Sequence, residues 1–282
     1  VTLSFGARLA AAMDAHGPLC VGIDPHPSLL AEWGLADDAG GLRTFALTVL
    51  DAVGGEVAAV KPQSAFFERH GSAGIAVLEE VLAAARAAGT LAILDAKRGD
   101  IGSTMAGYAD AYLRDGAPLA ADALTVSPFL GFGSLRPLVD AALGSGRGLF
   151  VLALTSNPEG AEVQHARGPD GRAVAARIAA AAAALNLGQQ PLGSIGLVIG
   201  ATVGNAPEKL GIDLAAVNGP LLAPGVGAQG AGPAELAAVF GTARRQVLAS
   251  SSRGVLAAGP EVAALRRAAH RAALDASAAL RG

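Results

Sequence analysis

Cysteine is nearly absent. Cys20 is alone among 282 residues, so neither an intrachain disulfide nor a Cys-rich zinc site can form, and the chain reads as one made for a reducing, cytoplasmic compartment. Neither sign of charge dominates: 21 Lys and Arg stand against 24 Asp and Glu, a net charge of −3. No strong field is left to recruit nucleic acid or another polyanion. Long hydrophobic runs are missing too. Charges or glycines break the Ala-rich tracts well before the roughly 18 apolar residues that a membrane span needs, so a soluble protein without a membrane partner is expected. The opening VTLSFGARLAAAMDAHG lacks the basic start and apolar run of a secretory signal, and Val1 in place of methionine leaves the natural start of the chain open. Apolar residues are plentiful at 52%, enough for a sizeable core. Gly and Pro, 38 and 15 residues, exceed the usual share but fall short of the level that marks disorder.

Eight short apolar runs alternate with Ala-, Leu-, Glu- and Arg-bearing stretches, the pattern of parallel strands joined by helices. The runs are Leu19 to Asp24, Val57 to Lys61, Leu91 to Lys97, Asp122 to Val126, Leu149 to Thr155, Ile195 to Ala201, Pro220 to Gly225 and Gln246 to Ser250. Helical composition marks Leu42 to Val53, Ala73 to Ala88, Gly102 to Arg114, Leu135 to Leu143, Ala173 to Leu187 and Glu261 to Leu280, with shorter pieces near Glu208 and Glu235. Eight β/α units in this length predict an α/β fold of the TIM (β/α)8 barrel type rather than a doubly wound sheet. No linker or composition shift divides the chain, so residues 1–282 are expected to form a single barrel domain with an N-terminal helix. GPDGR, Gly168 to Arg172, has turn chemistry and is expected to be a mobile loop.

The run LAILDAKRGDIGST is the most informative, because an apolar strand ends in charges. Side chains alternate along a strand, so Asp95 and Lys97 share a face, and with Leu91 and Ile93 in register that face is the barrel interior. The C-terminal mouth of a barrel is where catalytic groups gather. The plainer alternative for Asp100 is a cap on the following helix, joined to a solvated salt bridge. An adhesion role for the RGD tripeptide has no partner in a cytoplasmic protein. Two more strands end in a charge followed at once by proline, Asp24 in CVGIDPHP and Lys61 in AVKPQ. Each taken alone is as readily a rim residue or a turn cap. Together, strands one to three deliver Asp24, Lys61, Asp95 and Lys97 to one mouth, an interleaved array whose signs keep the lysines protonated and the aspartates ionised.

The seventh strand runs into APGVGAQGAGPAEL, whose glycines let backbone amides approach an anion ahead of a short helix. A glycine loop alone is commonly just a turn. Arg253, in SSSRG after the eighth strand, adds a guanidinium beside it, and these two loops are the usual phosphate site of the barrel.

VGIDPHP, KPQSAFFERHG, LDAKRGDIGST, LALTSNP, GLVIGAT, PGVGAQG and SSSRG, in this order, resemble the orotidine 5′-phosphate decarboxylase family, in its longer bacterial form with a DAKRGDI signature. The resemblance implies that Lys61, Asp95, Lys97 and Asp100 are the charged catalytic network. It implies that Asp24 lies by the ribose hydroxyls, that Ser156 faces the pyrimidine, and that Gln229 and Arg253 hold the phosphate. Ile101 and Pro224 are further substrate-binding residues by the same likeness. Asp100 and Thr104 would reach into the neighbouring subunit's site, which makes the expected state a homodimer with shared sites. The family implies no metal and no organic cofactor. The chain departs from the family pattern at Phe129 and Gly133, where tyrosine and aspartate are common, and at Ala231, which interrupts a glycine pair.

The expected reaction is decarboxylation of orotidine 5′-phosphate to UMP in pyrimidine biosynthesis. Two rivals remain at this point. One is a magnesium-dependent sugar-phosphate decarboxylase or aldolase on the related barrel, which shares the Asp-x-Lys-x-x-Asp core but carries an acidic group where this chain has Lys61. The other is a non-catalytic sensor of phosphorylated ligands.

Overall fold

The computed structural model describes residues 3–226 and 231–282. Eight parallel strands follow one another around a closed barrel: β1 (Leu19–Ile23), β2 (Ala59–Pro62), β3 (Leu91–Arg98), β4 (Ala123–Val126), β5 (Gly148–Leu154), β6 (Ile195–Ile199), β7 (Leu221–Pro224) and β8 (Val247–Ser251). β8 pairs back onto β1 through Leu19–Ala249 and Cys20–Ser250. Each apolar run singled out in the sequence overlaps one of these strands, with ends that differ by at most two residues.

Alternation divides each strand's side chains between two cores. Cys20, Ala59, Leu91, Ile93, Ala123, Phe150, Val198, Leu222 and Leu248 fill the barrel, where they meet Phe5, Leu9 and Met13 of the N-terminal helix Phe5–His16. That helix plugs the N-terminal end. Phe5 stands edge-on to Phe150 with ring centroids 5.9 Å apart, and Gly148 is the residue that admits it: a Cβ there would sit 2.1 Å from the Phe5 ring. The plug leaves the opposite, C-terminal mouth as the open end.

The outward-facing residues pack under the helices. In Ala39–Val53 the buried positions Leu42, Ala46, Val49 and Val53 fall at helical spacing on one stripe. This helix starts three residues before the expected Leu42 because the Asp38 carboxylate caps it, accepting from the Gly41 amide at 2.8 Å, so the two glycines are absorbed into its first turn. The expected helix Ala173 to Leu187 instead runs Val174–Leu185. It stops where Asn186 turns inward, fully buried, to donate to the Ile195 and Val217 carbonyls at 2.8 and 2.9 Å and to accept from the Ile195 amide. Short helices Pro27–Glu32 and Ser64–Glu68 follow the two strands that end in charge and proline. Gly168 to Arg172 forms a closed turn, with Arg167 and Ala173 bridged and the Gly168 amide donating to the Arg172 carbonyl at 2.9 Å. Among the described residues no helix is long and apolar enough to cross a membrane.

Candidate active site

The open mouth contains a cavity of about 510 Å³ whose lining includes Asp24, Lys61, Asp95, Lys97, Ser156, Pro224 and Arg253. At its floor Asp95 holds two ammonium groups at once. Lys61 Nζ donates to Oδ2 at 2.7 Å and Lys97 Nζ to Oδ1 at 2.5 Å. A third donor, the Thr125 hydroxyl, reaches Oδ1 at 2.9 Å. The two lysines differ in exposure: the Lys61 side chain is 7% accessible, that of Lys97 46%. One ammonium is therefore a fixed, desolvated charge, while the other faces the space a ligand would fill.

Burial pushes the Asp95 carboxyl upward, but the charges and hydrogen bonds of Lys61 and Lys97 outweigh it and hold its pKa down at about 2. Burial likewise penalises the Lys61 ammonium, and Asp95 and Asp24 overcome it, so Lys61 titrates above its ordinary value. Both partners stay charged across the neutral range. Cys20, deeper in the barrel, is fully buried and its thiol is pushed up to about 12, chiefly by desolvation, which leaves it inert.

Strand alternation brings Asp95 into the barrel as expected, but Lys97 arrives by another route. The pairing of β3 with β4 runs Ile93–Ala123 and Leu94–Leu124, then resumes at Arg98–Val126. Asp95, Ala96 and Lys97 thus face Thr125 alone, a bulge that re-aims the side chain beyond it. Lys97 adopts a left-handed backbone, φ +49°, at a cost of about 1–3 kcal/mol. Its amide, displaced from the regular ladder, donates to Thr125 Oγ1 at 3.0 Å. On the outer side Arg98 locks the end of the bulge, donating to Glu68 at 2.5 Å, to the Ala96 carbonyl at 3.1 Å and to the Tyr112 hydroxyl at 3.3 Å.

The expected interleaved array is in fact centred on one carboxylate. Asp24 lines the same cavity, and its Oδ1 is buried without a hydrogen-bond partner. Asp100 does not cap the following helix. The N-cap of Gly102–Leu113 is Ile101, and the Asp100 carboxylate accepts from the Ile101 amide at 2.8 Å. Asp100, Ile101 and Thr104 do not line the cavity of their own chain; Ile101 is 61% exposed. Gln229 lies outside the described residues, while Arg253 begins the short helix after β8.

Sequence reasoning missed Gln63 and Thr125. Gln63 accepts from Lys61 Nζ at 3.3 Å and sits two residues beyond it, just past the end of β2, a spacing that was available as a signal. Thr125 carried none, since it reads as an ordinary β-branched strand residue. Among the described residues, no three His, Cys, Asp or Glu side chains gather where they could hold a metal ion.

Residues 17–268 match the model of the Orotidine 5′-phosphate decarboxylase / HUMPS family. The orotidine 5′-phosphate decarboxylase of Streptomyces coelicolor is 63% identical over 272 residues, 96% of each chain. That of Salinispora arenicola is 62% identical over 279 residues, 99% of each. A crystal structure from Streptomyces avermitilis superposes with a TM-score of 0.96 at 62% identity, covering 100% of this chain and 97% of that one. With its closed barrel, its charged mouth and relatives matched end to end, the chain belongs to the Orotidine 5′-phosphate decarboxylase / HUMPS family.

Proposed function

We propose that this barrel, acting as one domain, decarboxylates orotidine 5′-phosphate to UMP without a metal or organic cofactor. The observation that carries the reading is the Asp95 carboxylate shared by Lys61 and Lys97 at the cavity floor. Loss of carbon dioxide breaks the C6–carboxylate bond and leaves its electron pair on C6, in the ring plane, where no carbonyl can delocalise it. Stabilisation must then come from charge already in place. Lys97, the accessible ammonium, is attracted to the developing carbanion and transfers a proton to C6, yielding UMP, and regains that proton from water. Asp95 and Lys61 hold it in position. Asp100 of a second copy completes the charged network, and the substrate carboxylate is crowded by these anions.

The remaining roles follow the same reading. Asp24 Oδ1, buried and unpartnered, suits a ribose hydroxyl. Ser156 faces the pyrimidine, Pro224 borders the ligand, and Arg253 with Gln229 holds the phosphate. Ile101 and Thr104 act across a homodimer contact into the neighbouring site. The exposure of Ile101 and the placement of Asp100 outside their own chain's cavity support that sharing. Cytoplasmic residence, with neither nucleic acid nor membrane as partner, fits a lone buried thiol and a small net charge.

The magnesium-dependent rival needs oxygen ligands for its ion. Here both Asp95 oxygens already accept from ammonium groups, and Lys61 would repel the cation. The deciding experiment follows the ultraviolet absorbance of orotidine 5′-phosphate with chelator present. Steady turnover to UMP is expected. Turnover that stops with chelator would return the metal-dependent reading, and stoichiometric binding without turnover would leave a sensor.

A further inference from the structure

The Thr125 hydroxyl touches both parts of the arrangement that presents Lys97. It is 1% exposed. It accepts from the Lys97 amide at 3.0 Å, at the left-handed residue of the bulge, and donates to Asp95 Oδ1 at 2.9 Å, the same oxygen that receives Lys97 Nζ. A hydroxyl carries a single proton. With the amide directed at its oxygen, that proton is committed to the carboxylate, so the two hydrogen bonds fix each other's direction. A ladder carbonyl of β4 could serve the Lys97 amide but could not also donate to Asp95.

We infer that Thr125 is a positioning residue for the decarboxylation proposed above: its hydroxyl sets the orientation of the Asp95 carboxylate and the strained Lys97 backbone together, and so aims the Lys97 ammonium at the reacting carbon. The inference rests on that functional reading. Without the hydroxyl the Lys97 amide loses its partner inside the bulge, the left-handed backbone loses what offsets its strain, and Asp95 keeps its two ammonium groups but not their angle. The phosphate and ribose roles proposed above belong to other lining residues, Arg253 and Asp24. The loss therefore falls on the transition state more than on substrate binding.

The test compares Thr125→Val, which keeps shape and removes the hydroxyl, with Thr125→Ser, which keeps the hydroxyl. Steady-state kinetics with orotidine 5′-phosphate and thermal melting are read on both. Thr125→Val is expected to lower kcat by about tenfold or more with KM changed by less than about threefold, and Thr125→Ser to recover most of that loss. If the valine variant does not fold, Thr125→Ala is read by the same criteria. Unchanged kcat in the hydroxyl-free variant, an equal loss in Thr125→Ser, or a change confined to KM overturns the inference while the wild type still turns over. A wild type inert toward orotidine 5′-phosphate overturns the functional reading and this inference with it.

Discussion

Lys61 and Lys97 bind the same carboxylate, yet their removal has different consequences because one is buried and the other is not. Deleting Lys61 leaves Asp95 without its desolvated partner, a change that costs about 3–5 kcal/mol in buried pairs. Deleting Lys97 leaves Asp95 satisfied by Lys61 and Thr125. Lys97→Ala is therefore expected to keep a wild-type melting temperature while kcat falls at least about a thousandfold; substantial residual decarboxylation would take the acid role away from Lys97. Arg253 lines the same cavity. Arg253→Ala is expected to raise KM for the phosphorylated substrate by about tenfold or more, and unchanged saturation behaviour would refute the phosphate assignment. The charges of this site were legible in the sequence because ionised side chains at the ends of apolar runs break the core pattern. The left-handed Lys97 and the hydroxyl that supports it were not, since a bulge leaves no compositional mark.

At the scale of elements, propensity and periodicity located the strands and the long helices, and the differences at their ends have local causes. Asp38 extends one helix past two glycines, and Asn186 caps the end of another, its backbone amide still bonded to the last turn while its side chain makes three hydrogen bonds to the β6 and β7 approaches. The Asn186 amide is a fully buried staple between the Val174–Leu185 helix and the barrel. Asn186→Ala leaves the Ile195 and Val217 carbonyls and the Ile195 amide without it, and a stability loss of about 2–4 kcal/mol is expected in chemical denaturation. A midpoint equal to the wild type would show that water replaces the side chain. Nothing in the sequence separates this asparagine from one in an exposed turn.

The whole molecule is closed at one end by the Phe5–His16 helix and open at the other, where apolar side chains also come to the surface. Ile101, Phe129 and Leu130 are each more than half exposed, and Phe129 borders an apolar cavity of about 690 Å³ that adjoins Lys97. If this rim pairs two copies and each site borrows the other's Asp100, two dead variants must complement. Lys97→Ala and Asp100→Asn, each inactive alone, are expected to regain about a quarter of wild-type activity when co-expressed, because half the dimers are mixed and each mixed dimer holds one intact site. Additive background activity, or a monomer in size-exclusion chromatography, would place Asp100 in its own chain's site. Sequence by itself determined the alternation that makes eight β/α units, the apolar interior and the residue types at the strand ends, because each of these is a local pattern of side chains along the backbone. Tertiary structure alone decided that two lysines converge on one carboxylate, that Asp24 is left with a buried free oxygen, and that Asp100 stays off the lining of its own cavity. Those outcomes depend on strand register, on a bulge and on distances between segments far apart in the chain, none of which a local pattern encodes.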